Sequence, residues 1–110
     1  MKRKKMMNYY LFLITAPSME QAKKIARTLV NEKIAACVNI IPQIVSIYRW
    51  KGKIEEDNEA LLIAKTNESN SEKLIKRLFE LHEYEVPECI GFQIMKGNQN
   101  YLQWIDEVVE

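Results

Sequence analysis

Two long β-like segments joined by a short turn are the feature that most constrains the fold of this chain. Apolar and β-branched residues dominate positions 37–48, a turn follows at 51–53, and residues 54–66 return as the partner strand. Pro42 cannot donate to a β-ladder, so it marks an edge, bulge or bend within the first arm. At about 3.3 Å per residue that arm would approach 40 Å, whereas a domain of this length has a radius of gyration of about 13 Å. We therefore expect the hairpin to project beyond its own domain.

Both arms of this hairpin carry apolar residues on both faces. In the first arm, alternation along a regular strand would place Ile40 and Ile44 on one face and Ile41, Val45 and Ile47 on the other. A sheet face open to water should alternate apolar with polar residues, so something must cover the second face. Projecting apolar arms with unpaired edges are commonly covered by further copies of the same chain. We expect a homo-oligomer, whose stoichiometry this argument leaves open.

The rest of the chain alternates between strand and helix patterns. Residues 9–15 form a strand, Ser18 caps a helix that runs to about Lys33, and a cap region at 67–71 precedes a second helix. A last strand covers 89–95, and Asn98 or Asn100 caps a short C-terminal helix. The apolar helix positions expected to face inward are Ala22, Ile25, Ala26, Leu29 and Val30, then Leu74, Ile75, Leu78 and Leu81. This β-α-β-β-α-β order predicts an α+β, ferredoxin-like fold, in which two helices cover one face of a four-stranded antiparallel sheet.

Composition narrows the classes of function. The chain has 110 residues and a net charge of +1, so it lacks the basic field of a nucleic-acid-binding protein. Residues 1–8 are expected to form a flexible basic arm, and residues 9–110 a single domain. No stretch approaches the ~20 apolar residues that cross a bilayer, so no membrane partner is expected. The two cysteines are too few for a disulfide framework, which predicts a reducing compartment, the cytoplasm.

The segment HEYEVPE at residues 82–88 is the main candidate for chemistry, because it holds the only histidine beside a tyrosine and three carboxylates. One histidine cannot supply a multi-histidine metal site, so a tight site must borrow ligands from Cys37 or from other copies of the chain. A Cys37 thiolate suits Cu(I) or Zn(II), neutral His82 is a borderline ligand, and Glu88 offers a hard oxygen. Each also has a structural interpretation: Cys37 and Cys89 as apolar filler, His82 as a solvated side chain near a helix end, and Glu88 as a hydrogen-bond acceptor.

A second set of residues predicts a pocket between subunits. Lys65 and Thr66 end an apolar strand, where a lysine is costly to bury unless an anion meets it. Lys65 therefore serves either as a pocket cation for a carboxylate or phosphate ligand or in an ion pair with Glu88 or a neighbouring subunit. Large aromatic residues dominate subunit contacts and are expected there: Trp50, Tyr84, Tyr101 and Trp104.

Signatures of catalysis are absent from the sequence. It contains no phosphate-binding Walker loop, no GxGxxG, no Ser/His/Asp constellation and no paired histidines on a helix face. It also lacks the CxxC that a copper chaperone of similar fold carries in its first loop. We expect a binding protein rather than an enzyme, without an organic cofactor.

Five stretches of the chain resemble the CutA family of divalent-cation-tolerance proteins. They are EKIAACVNI at 32–40, SIYRWKGKI at 46–54, LLIAKT at 61–66, HEYEVPE at 82–88 and YLQWI at 101–105. The resemblance implies a ferredoxin-like fold assembled as a trimer through its long hairpins, with a role in divalent-metal tolerance and copper binding. The chain departs from the usual family pattern at Glu83, where proline is common, and at Ala64, where isoleucine is common.

Three hypotheses of function follow from the residues and the resemblance together. The leading one is a homotrimeric homeostasis protein that holds copper or another divalent ion weakly between subunits, through Cys37, His82 and Glu88. An alternative is a small-molecule sensor similar to the nitrogen-regulatory PII proteins, in which Lys65, Thr66 and Tyr84 grip an anionic metabolite. A third is a structural trimer that scaffolds a partner.

Overall fold

A four-stranded antiparallel sheet organises the computed structural model, which describes residues 8–110. The elements are β1 (Tyr9–Ala16), α1 (Met19–Asn31), β2 (Cys37–Trp50), β3 (Lys53–Asn67), α2 (Glu68–Leu81), β4 (Cys89–Ile94) and α3 (Gln99–Val108). The strands lie in the order β2-β3-β1-β4, so the predicted α+β, ferredoxin-like class is confirmed. The predicted basic arm lies outside the described residues except for Asn8, whose Nδ2 donates to Glu68 Oε1 at 2.7 Å. No helix within residues 8–110 is long and apolar enough to cross a membrane.

Each helix begins at a polar cap that the sequence indicated. Ser18 Oγ accepts the Gln21 N–H of α1 at 3.1 Å. The side-chain oxygens of Asn67 and Asn98 accept backbone N–H groups in the first turns of α2 and α3. These caps satisfy donors that a helix start otherwise leaves without a partner.

α1 ends at Asn31, two residues before the predicted end at Lys33. Lys33 adopts a left-handed conformation with φ of 62°. Its N–H donates to the Val30 carbonyl at 3.0 Å, and the N–H of Ile34 donates to the Leu29 carbonyl at 2.9 Å. This pair of bonds is a Schellman motif, which closes a helix and satisfies its last carbonyls.

The main core lies between the sheet and the two helices α1 and α2. Phe12, Ile14 and Leu62 point into it, and none is more than 3% exposed. We call this side of the sheet the covered face. The prediction that Val30 and Ile75 face inward is wrong, because they are 42% and 39% exposed. Each follows a fully buried leucine, and successive helix residues are rotated by about 100°, which carries the second residue toward solvent.

The opposite side of the sheet, the open face, is apolar and only partly covered. At one end α3 packs on it, where Leu102 and Ile105 contact Tyr9 and Ile94. Beyond α3 the described chain leaves large apolar side chains accessible on this face: Ile41, Ile90 and Phe92 are 41%, 49% and 51% exposed, and Leu11, Leu13, Leu61 and Ile63 are half-buried. The predicted second apolar face is therefore present, and residues 8–110 of one chain leave much of it uncovered.

The hairpin of β2 and β3 extends well past the helices. The molecule measures 59 × 25 × 24 Å, with a radius of gyration of 15.3 Å against the ~13 Å of a compact chain of this length, so the predicted projection is confirmed. At its tip Lys51 and Gly52 have φ of 50° and 80°. Positive φ at both central residues defines a type I′ turn, whose twist matches that of the two strands.

A β-bulge at Pro42 reverses the face of the sheet on which each β2 side chain beyond it lies. Ile41 pairs with Leu61 and Ile44 pairs with Glu59, so Pro42 and Gln43 together oppose a single residue of β3. Ile44 consequently shares the open face with Ile41. The predicted division of β2 side chains between the two faces is therefore wrong. Ile40 and Ile44 lie on opposite faces of the sheet, and Val45 and Ile47 lie on the face opposite to Ile41. An inserted residue inverts the alternation of every residue beyond it.

Candidate functional site

His82 lies at the end of α2, buried against β1. Its Nε2 is 2.6 Å from the Thr15 carbonyl oxygen, and its Nδ1 accepts the Tyr84 N–H at 3.0 Å. A carbonyl oxygen can only accept, so these partners assign the proton to Nε2 and make the ring neutral. Only 9% of His82 is exposed, so the interpretation of a solvated side chain is wrong. The ring holds the start of the 82–88 segment against the sheet.

Tyr84 extends this arrangement toward the hairpin. Its ring lies 4.7 Å from the His82 ring, and its hydroxyl donates to Glu59 Oε2 at 2.9 Å. Burial, followed by the Glu59 carboxylate, raises the pKa of Tyr84 above its ordinary value. A second pair lies alongside, where the Tyr48 hydroxyl donates to Asp57 and this hydrogen bond raises the pKa of Tyr48 to about 12. Both tyrosines therefore stay protonated donors at neutral pH.

Between the 82–88 segment and the base of the hairpin lies a cavity of about 640 Å³. We call it the acidic cavity, and define it by three carboxylates and three aromatic rings: Glu59, Glu85, Glu88, Tyr48, Trp50 and Tyr84. Within residues 8–110 no lysine or arginine lines it. Its volume falls in the range of small-molecule sites, about 300–1,000 Å³, and its charge favours a cation over an anion.

Cys37 and Lys65 lie at the other end of the open face. They are cross-strand partners, and Lys65 Nζ donates to the Asn39 side chain. α3 lies beside them, since its Leu102 belongs to the same core cluster as Ala36, and burial and the neighbouring Cys37 thiol raise the pKa of Tyr101 on this helix. Lys65 also pairs with Leu11 of β1, and Thr15, the partner of His82, is about 13 Å further along that strand. One chain therefore does not bring Cys37 and His82 together.

The predicted site residues thus separate into groups. Trp50, Tyr84 and Glu88 share the acidic cavity, whereas Thr66 is completely buried and its hydroxyl donates to the Ile34 carbonyl at 2.6 Å. Trp104 lies on α3 with its ring 5.5 Å from that of Tyr101. In the described part of the chain no three His, Cys, Asp or Glu side chains form a group that could hold a metal ion. A metal site or pocket shared between subunits stays a prediction.

Two other observations bear on these interpretations. The Cys89 side chain packs against the main core, and burial raises the pKa of its thiol to about 11, which agrees with a core role. Sequence reasoning missed Glu59, which lines the acidic cavity although only 8% of it is exposed. A signal was present, because Glu59 has the same strand parity as Leu61 and Ile63 and interrupts their apolar row.

The fold and this site define a class: a small ferredoxin-like α+β protein with a projecting hairpin and an acidic, aromatic cavity at its base. Comparison with known families identifies the family within that class. Residues 10–108 match the family described as CutA1 divalent ion tolerance protein. The chain belongs to the CutA1 family.

Individual relatives agree with this assignment. The chain is 50% identical over 95 residues to the divalent-cation tolerance protein CutA of Thermus thermophilus, covering 86% of this chain and 92% of that protein. It is 51% identical over 96 residues to a CutA homolog of Xenopus laevis, of which it spans 64%. The crystal structure of CutA1 from Oryza sativa superposes with a TM-score of 0.91 at 42% identity, over 94% of each chain. Other relatives are named as chloroplastic in Arabidopsis thaliana and periplasmic in Archaeoglobus fulgidus.

Proposed function

We propose that this protein acts in divalent-cation tolerance as a homotrimer that binds metal weakly at sites between subunits, with copper as the leading ion. Membership of the CutA1 family supports the role in tolerance. The observation that carries the proposal is the acidic cavity, whose lining residues in the described chain include three carboxylates, among them the proposed ligand Glu88, and no lysine or arginine. Such a lining attracts cations and disfavours the anionic metabolite of the alternative sensor hypothesis.

The open face supports assembly into a homotrimer. Ile90 and Phe92 of β4 are about half exposed, and Ile41 of β2 is 41% exposed. Contiguous apolar patches of this kind mark interaction surfaces, and closed cyclic assemblies of identical chains are the common way to cover them. The proposed metal site requires that, in such an assembly, Cys37 of one copy lies beside the 82–88 segment of another.

The residues of this chain fit a bound metal in part. Cys37 is a free, half-buried thiol, and Glu88 is exposed, so both are available as ligands. His82 can coordinate only after one ring nitrogen gives up a hydrogen bond, either to the Thr15 carbonyl or from the Tyr84 N–H. Losing such a bond costs about 1 kcal/mol, which is consistent with weak binding. When bound, the ion would place a positive charge beside these ligand atoms.

We further propose that the protein works without an organic cofactor, nucleic-acid partner or membrane partner, as a binding protein rather than an enzyme. The cytoplasm is the proposed location. Two free cysteines support a reducing compartment. The net charge of +1 supports the absence of a nucleic-acid partner.

Copper titration tests the metal site. We expect Cys37→Ser and His82→Asn each to weaken copper binding by about tenfold or more, while Glu72→Gln, an exposed carboxylate on α2, leaves it unchanged. Circular dichroism verifies that the His82 variant folds. Equal affinity in all four proteins contradicts these ligands. Sedimentation tests the assembly, and a single protomer at micromolar concentration contradicts the homotrimer.

A further inference from the structure

Lys65 lies beside Cys37, the thiol of the proposed metal site. The two residues are directly opposite each other on β3 and β2, and the Cβ atoms of such pairs are about 4.5–5.5 Å apart. The Asn39 side-chain oxygen accepts from both of them, with Cys37 Sγ at 3.8 Å and Lys65 Nζ as the second donor. Two groups that share one acceptor in this way lie within about 7 Å of each other. The ammonium group is therefore close enough to act on any ion that Cys37 binds.

The charge of Lys65 is not neutralised by a carboxylate of the described chain. Among residues 8–110 no ion pair includes it, and its neighbour on the β1 side is Leu11. The side chain is half-buried, so solvent ions screen its charge less than that of a fully exposed lysine. Because Cys37 and Lys65 lie on adjacent strands of one sheet, their contact does not depend on assembly with other copies.

Metal binding at a cysteine changes the charge of the site by an amount that depends on the ion. The thiol loses its proton when a metal binds the sulfur. A Cu(I) ion replaces that proton charge for charge, so the net charge at Cys37 is the same before and after binding. A divalent ion such as Zn(II) brings two positive charges in place of one. Neutral histidine and ionised glutamate ligands carry the same charge before and after binding, so they do not alter this difference.

We propose that Lys65 makes the Cys37 site selective for Cu(I) over divalent ions, an inference that rests on the proposed metal site. The ammonium group repels the additional positive charge that a divalent ion brings, whereas it does not oppose the exchange of a proton for Cu(I). At about 7 Å this repulsion corresponds to about a tenfold loss of divalent affinity, a value between those for two charges in water and near a protein surface. Lys65 acts through its charge and needs no contact with the ion.

Titrations of the full chain with Zn(II) and, without oxygen, with Cu(I), each in competition with a chromophoric chelator, test the proposal. We expect Lys65→Met to strengthen Zn(II) binding by about tenfold and to leave the Cu(I) affinity within about twofold of the wild type. Lys65→Arg keeps the charge and should retain the wild-type preference. The matched control is Lys76→Met, which removes an exposed lysine of α2 and should change neither affinity.

The Cu(I) affinity of Lys65→Met also verifies that the variant folds, because the same thiol is measured. An equal change for the two ions, no change for either, or a lost preference in Lys65→Arg overturns the proposal. Cys37→Ser distinguishes this failure from failure of the metal site. If Cys37→Ser weakens both ions while Lys65→Met does not shift their ratio, the metal site stands and the role of Lys65 is wrong. If Cys37→Ser weakens neither ion, both are wrong.

Discussion

Gly91 in β4 allows a direct test of how tightly the sheet is packed beside the 82–88 segment. A Cβ atom added there would lie 2.6 Å from Phe12 Cε1 and 3.0 Å from Phe12 Cδ1 and Cζ. Favourable carbon contacts are about 3.5–4.0 Å, so the ring or the strand must move by about 1 Å. The Phe12 ring has little room to do so, because only 3% of it is exposed and it packs in the main core.

We expect Gly91→Ala to destabilise the protein by about 1–3 kcal/mol, the usual cost of overpacking a core by one methyl group. With a urea dependence of about 1–3 kcal/mol per molar, the unfolding midpoint should fall by about 1 M. The matched control is Gly97→Ala, whose Cβ would come no closer than 3.3 Å to its nearest neighbours, atoms of the Leu102 side chain. Both substitutions stiffen the unfolded chain equally, so their difference measures the clash.

A double-mutant cycle identifies Phe12 as the cause. Phe12→Leu removes the ring edge that the new methyl group would meet, so Gly91→Ala should cost at least about 1 kcal/mol less in that background. All proteins are compared by urea unfolding at one fixed concentration, because assembly would make the midpoint depend on concentration. The same cost for Gly91→Ala with and without the Phe12 ring would refute the reasoning.

Two further predictions concern other parts of the fold. Lys33→Gly should stabilise the protein by about 0.5–1 kcal/mol, because glycine adopts the left-handed conformation at the end of α1 without strain; an unchanged or lower Tm contradicts this. Tyr9 donates to Asp106 at 2.6 Å, and this hydrogen bond raises its pKa from 10.0 to about 12. The stability it contributes is therefore present below about pH 10 and lost as the pH rises toward 12. Urea midpoints should fall more steeply with pH in this range for wild type than for Tyr9→Phe, and parallel curves contradict the assignment.

Local patterns in the sequence were sufficient to predict the elements and their order. The types of the elements, the caps at Ser18 and Asn98, and the turn around Gly52 all depend on neighbouring residues, and the structure agrees with each. Helix ends and faces were less predictable. Lys33 takes a conformation usual for glycine, and the exposure of Val30 depends on where the sheet lies beneath α1.

Only part of the candidate site could be predicted, because contacts between distant parts of the chain bring its residues together. Composition alone pointed to the 82–88 segment, since it holds the only histidine. The partners of that segment come from distant parts of the chain: His82 contacts the Thr15 carbonyl, 67 residues away, and Tyr84 contacts Glu59, 25 residues away. Neither separation has a signature in local sequence. A search for ligands by residue type therefore favoured Cys37, which the fold places at the other end of the sheet.

The bulge at Pro42 connects the fold to the site. Because it inverts the alternation of β2, Ser46, Tyr48 and Trp50 lie on the same side as Glu59, and all four line the acidic cavity. Without the extra residue, the same sequence would turn the Tyr48 and Trp50 rings to the opposite side of the hairpin. Glu59 would then keep its buried charge but lose two aromatic walls. The proline thus does more than mark an irregular strand, since the composition of the cavity depends on the position at which the bulge occurs.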